Sequence, residues 1–379
     1  PQSRTILSVI SLVSYVLTKV AVTVYAGGLV FQQVFGIKEL WGIDFFWIAA
    51  IGLVVLTALY TIFGGMKSVL YTSVLQTPIL LLGSLIILVL GFKELGGWDE
   101  MMRVCGAVTV NDYGDTMTNL IRSNDDANFP WLGALIGSAI IGFWYWCTDQ
   151  FIVQRVLSGK NEMEARRGTI FGAYLKLLPV FLFLIPGMIA FALHQKYIGA
   201  GGEGFLPMLA NGTANADAAF PTLVAKLLPA GVKGLVVCGI LAALMSSLAS
   251  LFNSSAMLFT IDFYKRFKPE TPEKKLVGIG QIATIVIVVL GILWIPIMRS
   301  VGDVLYTYLQ DVQSVLAPGI AAAFLLGICW KRTSAQGGMW GLIAGMIIGL
   351  TRLGAKVYYS NAGEVADSTF KYLFYDMNW

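Results

Sequence analysis

Charged side chains are scarce in this 379-residue chain: Asp, Glu, Lys and Arg make up 13% of it, beside a single histidine. Soluble domains carry roughly 25% charged residues, because their surface must be covered with groups that water solvates. The scarcity excludes a soluble enzyme and a disordered protein. A net charge of +4, dispersed along the chain, does not indicate a nucleic-acid partner. The lone His194 excludes a multi-histidine metal site, and the four cysteines lack metal-ligand spacing.

The sequence is rich in long apolar runs, and 57% of the residues are hydrophobic. A membrane-spanning helix needs about 20 mostly apolar residues. The sequence therefore predicts an all-α polytopic membrane protein embedded in the lipid bilayer, with one transmembrane domain over 1–379 and about nine to ten helices. The candidate spans are 6–33, 44–63, 69–92, 131–153, 169–194, 232–260, 276–298, 303–328 and 336–355, with an incomplete one around Thr369.

The connections between these spans alternate in charge and length. One set is short and basic and begins with a loop at Lys67, while the other includes long external loops near 93–130 and 195–231. Cytoplasmic loops carry an excess of Lys and Arg, so the short basic set is expected inside the cell. This pattern predicts a multi-pass protein of the plasma membrane, or of the inner membrane if the host is bacterial.

Ionisable side chains inside the apolar runs are costly, and each is therefore a candidate for function. Lys176 lies within FGAYLKLLPVF, where it can pair with a carboxylate, approach a hydroxylated ligand or extend to the cytoplasmic surface. Lys19 and Arg352 are interpreted as structural. Asp149 and Asp311 complete the set.

An aromatic stripe precedes one of these carboxylates. In GFWYWCTDQ, Gly142, Tyr145, Trp146 and Asp149 fall at i, i+3, i+4 and i+7, which places them on one face of an α-helix. Aromatic rings beside the space left by a glycine favour stacking on a flat apolar face such as a sugar ring. Packing or interfacial anchoring is the alternative.

Two further stripes show the same kind of spacing. Ala243, Ser246, Ser247 and Ser250 repeat the i, i+3, i+4, i+7 pattern, which suits either oxygen ligands for a monovalent cation or close packing of helices. The third stripe combines one phenol with two amides, which need hydrogen-bonding partners within the membrane. Its members are Tyr306, Gln310 and Gln313.

Several of these stretches together resemble the sodium/glucose cotransporter branch of the solute:sodium symporter family. The similarity is carried by YTIFGGMKSVLYTSVLQT, FWYWCTDQFIVQRVLSGKN, FGAYLKLLPVFLFLIPGMI and LMSSLASLFNSSAMLFTIDFY, in the family's order and spacing. The resemblance implies a LeuT-type fold of two inverted five-helix repeats. It places Pro1 just before the third core helix, so we expect a partial chain that lacks the first two core helices.

The resemblance also implies roles for individual residues. Tyr145 matches the aromatic residue that stacks on the sugar, Lys176 and Gln310 match sugar-contacting side chains, and Tyr306 matches the outer gate. Trp146 follows the stacking residue, as in animal members of the family. Gly142 falls where members often carry a polar side chain that contacts the sugar.

A sodium site is implied in the same way. Ala243 matches a backbone carbonyl ligand, and Ser246 and Ser247 match two hydroxyl ligands of Na+. Members with a second sodium site frequently have an aspartate in the YT-D-xLQ motif, where this chain has Ser73. The resemblance therefore implies one coupled sodium.

The predicted function is sodium-coupled symport of a sugar, a hexose such as glucose or galactose, into the cell by alternating access. Tyr145, Lys176 and Gln310 together favour a polyhydroxyl ligand over a carboxylate, which would prefer a fixed cation and a helix amino terminus. Alternatives are a sodium symporter for another solute such as myo-inositol, or a sugar-gated membrane sensor without coupled uptake. No catalytic residues are predicted, the chain is not expected to be an enzyme, and nothing in it points to an obligate protein partner.

Overall fold

The computed structural model describes residues 2–124, 126, 129–209, 212–301, 304–361 and 369–371. Most of them are helical, and two short antiparallel strands, β1 (Glu39–Leu40) and β2 (Ile43–Asp44), form one hairpin. Four π-helical turns interrupt the α-helices: Tyr15–Val20, Trp144–Thr148, Val180–Leu184 and Leu258–Tyr264. The α-helices are α1 Gln2–Ser14, α2 Ala21–Phe35, α3 Phe45–Leu95, α4 Trp98–Gly106, α5 Trp131–Phe143, α6 Gln150–Leu157, α7 Glu162–Leu175, α8 Ile185–Gly199, α9 Ala219–Leu227, α10 Ala230–Met257, α11 Lys265–Phe267, α12 Glu273–Val301, α13 Leu305–Cys329, α14 Ala335–Asn361 and α15 Thr369–Lys371.

Within the described residues, eight helical segments are long and apolar enough to cross a membrane, and Phe45–Leu59 is a shorter apolar stretch. Many large apolar side chains on these segments are exposed, such as Ile282 and Leu293 on α12. Apolar side chains on an outer face suit contact with lipid tails. The all-α polytopic prediction is confirmed, while only 369–371 of the expected incomplete span belong to the described part of the chain.

The third helix differs from the prediction of two spans joined by a basic loop. The backbone is α-helical without a break from Phe45 to Leu95, a length of 51 residues. At about 1.5 Å per residue this helix extends roughly 77 Å, against a hydrocarbon core of about 30 Å. The predicted loop at Lys67 is therefore wrong. Gly64 and Gly65, just before Lys67, lower the helix propensity but do not end the helix. The helix ends at Leu95 and is capped by Gly96, whose φ is 109°.

Contacts divide the chain into two compact units, residues 1–22, 121–157 and 251–379 in the first, and 23–120 and 158–250 in the second. The core of the second unit is built mainly from α3, α8, α9 and α10, and Ile87, Ile189 and Val236 are fully buried in it. Gly83 permits a close approach of α3 to α10, because a Cβ there would lie 2.5 Å from Val236. The prediction of one transmembrane domain stays a prediction.

In the first unit, small residues bring α13 and α14 together. A Cβ at Gly319 would lie 3.0 Å from the Cα of Gly345, so the two backbones are nearly in contact. Such packing is typical of membrane helices, which gain little from apolar burial and rely on close contact. A buried cluster of Ile10, Trp144 and Ile320 lies in the same unit.

Candidate functional site

The predicted span 131–153 is not one regular helix. After α5 the chain forms a π-helical turn, Trp144–Thr148, in which the Asp149 N–H donates to the Trp144 carbonyl at 3.1 Å. Asp149 then leaves the helical region, with φ −77° and ψ 119°, and begins α6. Its Oδ1 accepts from the Phe151 N–H at 3.1 Å, as an N-cap side chain does. Single π-helical turns inside α-helices occur frequently at functional sites.

This turn changes which aromatic rings face the interior. Trp144 is 3% exposed and packs with Ile10, whereas Trp146 is 47% exposed. Tyr145 is partly buried against the same cluster and meets the Trp146 ring edge-on, with centroids 5.2 Å apart. The predicted stripe assumed α-helical spacing, and that assumption is wrong here because the helix is wider at the turn.

An ion pair that the sequence did not predict lies beside Tyr145. The Lys19 ammonium pairs with Asp149 Oδ2, and the two side chains are 10% and 2% exposed. Tyr15 donates its hydroxyl to the other carboxylate oxygen at 2.8 Å. The ammonium lies 5.1 Å from the ring centroid of Tyr145 and 4.3 Å from that of Phe151. The sequence shows Lys19 and Asp149 as opposite charges inside separate apolar runs. It does not predict that the two side chains form a pair, because they are far apart in the chain.

Gly142 lies one residue before the end of α5 and borders open space. A Cβ added there would meet no other atom within 4 Å. Gly83, where two helices pack closely, is different, because a Cβ there would clash with Val236. A larger side chain therefore fits at the Gly142 position.

The beginning of α13 brings two predicted residues together. Gln310 Nε2 donates to the Tyr306 hydroxyl at 2.8 Å, and Tyr306 is more than half exposed. Tyr308 lies between them in the chain and was not predicted as a site residue. It is buried, donates its hydroxyl to the Leu17 carbonyl at 2.8 Å and accepts from the Trp294 indole at 2.6 Å. This network anchors α13 while it leaves Tyr306 and Gln310 on an accessible face.

Lys176 is placed at a break in its span, in the second unit. Helix α7 ends at Leu175, and the Lys176 N–H bonds to the carbonyls of Gly172 and Ala173 at 3.1 and 3.2 Å. Its side chain is exposed. A cation at a helix carboxyl end is favoured by the helix dipole, so this placement agrees with a structural as well as a ligand-binding role.

The serine stripe lies on a regular α-helix, α10, as the spacing assumed. Ser246 is 5% exposed, and Ala243 and Ser247 are partly exposed beside it. The Ser246 hydroxyl forms a 2.6 Å hydrogen bond with the hydroxyl of Ser73 on α3. Among the described residues, no three His, Cys, Asp or Glu side chains gather where they would hold a metal ion. The donors at this stripe are neutral oxygens.

The Sodium:solute symporter family matches residues 2–345, and the chain belongs to this family. The family consists of membrane transporters, which agrees with the prediction that the chain is not an enzyme. The resemblance that the sequence motifs carried is confirmed.

Among its relatives, the chain is 37% identical over 359 residues to Sodium/myo-inositol cotransporter 2 of Homo sapiens, covering 92% of this chain and 52% of that protein. It is 37% identical over 365 residues to Sodium/glucose cotransporter 4 of Mus musculus, covering 93% and 52%. The chain thus spans about half the length of the curated relatives that it matches.

A solved structure of a Na+-coupled sialic acid symporter, in its substrate-bound outward-open state, shares the fold. The TM-score is 0.63 at 21% identity, and the match covers 91% of this chain and 74% of the other. The all-α, LeuT-type class is confirmed. That the chain lacks the first two core helices stays a prediction.

Proposed function

We propose that the protein containing this chain is a plasma-membrane symporter that couples inward movement of Na+ to uptake of a neutral polyhydroxyl solute, with a hexose as the first candidate. The observation that carries the proposal is the set of neutral oxygens on α10, next to Ser73. The relatives named for sodium and glucose or myo-inositol support it.

The donor set fits a sodium ion. Na+ prefers hard oxygen ligands, and transporters commonly bind it through hydroxyls and backbone carbonyls. Ser246 and Ser247 would supply hydroxyls, and the Ala243 carbonyl has a second lone pair beyond its helical hydrogen bond. Because Ser73 contributes a neutral hydroxyl to Ser246 rather than a carboxylate, the proposed stoichiometry is one sodium.

The proposed solute contacts are aromatic and neutral-polar. In the first unit, the Tyr145 ring would stack on the apolar face of a pyranose, and the Gln310 amide would donate to or accept from a hydroxyl. Gly142, Trp146 and Tyr306 are further proposed contacts or gate residues of that unit. In the second unit, Lys176 is the proposed cationic contact, and a lysine donates to hydroxyls without requiring an acidic ligand.

Coupling follows from linkage. If sodium at α10 stabilises the state that binds sugar, it must raise sugar affinity, and sugar must raise sodium affinity by the same factor. Alternating access then carries both ligands inward, driven by the sodium gradient. The role of Na+ is that of a co-transported ligand, and the residues of the chain hold it.

The experiment is uptake of radiolabelled glucose and myo-inositol into proteoliposomes that contain the full protein. An inward sodium gradient should drive accumulation above equilibrium, and replacement of sodium by potassium should abolish it. Binding or a sodium current without accumulation would contradict symport and identify a sensor. A comparison variant is Tyr145→Ala, which should greatly reduce accumulation at sugar concentrations that half-saturate the wild type.

Myo-inositol is the second candidate, because a relative of that name matches over nearly the whole chain. Both solutes present rings of hydroxyls, but glucose has an exocyclic hydroxymethyl group and a ring oxygen that myo-inositol lacks. Competition of each unlabelled solute against the other distinguishes them. The preferred solute is the one with the lower half-saturating concentration.

A further inference from the structure

The pair formed by Lys19 and Asp149 is the most deeply buried charge pair among the described residues. Each member lies at an irregular piece of helix: Lys19 in the π-helical turn Tyr15–Val20, and Asp149 directly after the turn Trp144–Thr148. Taking two charges out of water is expensive, so a charge pair buried inside apolar segments is a candidate for function.

The carboxylate has a defined partner on each side. Lys19 pairs with Oδ2, while Oδ1 accepts from the Tyr15 hydroxyl at 2.8 Å and from the Phe151 N–H at 3.1 Å. The Asp149 carbonyl also accepts from the N–H of Ile152 at 3.0 Å, so the residue both ends the π-helical turn and starts α6.

The ammonium is surrounded by aromatic rings. Its Nζ lies 4.3 Å from the ring centroid of Phe151, 4.8 Å from Tyr15, 5.1 Å from Tyr145 and 5.9 Å from Trp144. A cation attracts the negative face of each ring, and the attraction is strong where water is excluded. One charge thus restrains several rings, including the ring proposed to stack on the solute.

We propose that Lys19 and Asp149 are positioning residues that hold the ring of Tyr145 in the orientation which binds the solute. This inference rests on the proposed function. The carboxylate fixes where the π-helical turn ends, and the ammonium fixes the ring through its face. Neither residue needs to contact the solute, so the pair acts on solute affinity through Tyr145.

The test compares Lys19→Met, Asp149→Asn and the double variant in the full protein, reconstituted in proteoliposomes. Each single variant should raise the half-saturating sugar concentration about ten-fold, while the sodium concentration for half-activation, measured at saturating sugar, changes less than about two-fold. The matched control is Arg166→Met, which removes a charge from the exposed pair with Glu162, and it should leave both values unchanged.

The double variant separates positioning from stability. With both charges gone, no unpaired charge remains buried, so thermal stability should return close to that of the wild type. Sugar affinity should stay reduced by about ten-fold, because the ring has lost its restraint. Recovery of both stability and sugar affinity would show a merely structural pair and overturn the proposal.

A second readout does not depend on transport. Cys147 lies within the π-helical turn and Cys329 at the end of α13, and both are exposed. Peptide mapping after maleimide treatment should show a several-fold change in the alkylation rate of Cys147, but not of Cys329, in Lys19→Met. An unchanged Cys147 rate together with unchanged sugar affinity would refute the inference. If the wild type binds no sugar with sodium, the proposed function fails, and the Cys147 rate alone decides whether the pair sets this turn.

Discussion

Two stretches of this chain share one spacing of chemically interesting residues, yet fold differently. The stripe from Ala243 to Ser250 lies on the regular helix α10, whereas the stripe from Gly142 to Asp149 is interrupted by a π-helical turn. On α10 the buried serines are four residues apart, at Ser246 and Ser250. In the other stretch, the buried side chains Trp144 and Asp149 are five residues apart. Spacing therefore predicts a face only where the hydrogen-bond pattern is that of the α-helix.

The difference has a source in the side chains. The serines of α10 are small and uncharged, so neighbouring helices approach them without disturbing the backbone. Asp149 must reach an ammonium, a hydroxyl and a backbone N–H, and the extended backbone at this residue provides the geometry. Where a buried charge needs several partners, the backbone adapts to it.

The largest expected effect is on stability, from Asp149→Ala. This change leaves the Lys19 ammonium buried without a counter-charge, and breaking a buried pair costs about 3–5 kcal/mol. The measurement is the unfolding free energy of the detergent-solubilised protein. Glu162→Ala is the matched control, because its pair with Arg166 is exposed (78% and 75%) and is expected to contribute at most about 1 kcal/mol. Equal losses in both variants would contradict the deep burial of the Lys19–Asp149 pair.

The second effect is on solute affinity at the π-helical turn. Tyr145→Ala should raise the half-saturating sugar concentration at least ten-fold, about 1.4 kcal/mol, while Tyr145→Phe keeps the ring and changes it less than about three-fold. Trp146→Ala should have a smaller effect than Tyr145→Ala, because the Trp146 ring is exposed. Sodium-dependent sugar binding measures all three. Equal losses of sugar affinity in Tyr145→Ala and Trp146→Ala would favour a regular α-helix at this position over the π-helical turn.

The third effect concerns the regular stripe. Ser247→Ala removes one hydroxyl of the proposed sodium site but suits a helix, so sodium half-activation should rise about five-fold, or roughly 1 kcal/mol. Sugar binding without sodium should not change. The wild type should show a sodium Hill coefficient near one, and Ser73→Asp, which puts a carboxylate beside Ser246, should raise it. A wild-type coefficient near two would rule out a single site.

The smallest effect is a gain. Gly142→Ser adds a hydroxyl where a Cβ meets no atom within 4 Å, and serine is the better helix former. One new hydrogen bond to the solute should lower the half-saturating sugar concentration about two- to five-fold. Gly83→Ser is the contrasting control, because a Cβ there would lie 2.5 Å from Val236, and it should lower stability instead. Unchanged affinity in Gly142→Ser would show that this face does not meet the solute.

Composition and apolar runs by themselves determined the class of the protein, since 57% hydrophobic residues cannot be reconciled with a water-exposed surface. The motifs determined the family, and the spacing on α10 correctly predicted a shared helical face. The class, the family and the shared face on α10 can be predicted from local sequence. The lipid environment requires long apolar runs, and the α-helical repeat fixes which residues share a face.

Tertiary structure alone decided the rest. The pairing of Lys19 with Asp149 joins residues 130 positions apart, and the hydrogen bond of Ser73 with Ser246 joins residues 173 apart. Local patterns contain no information on such contacts. The π-helical turn at Trp144 likewise follows from the partners that the buried Asp149 carboxylate requires, because intrinsic helix preferences differ by less than the cost of leaving that charge unpaired.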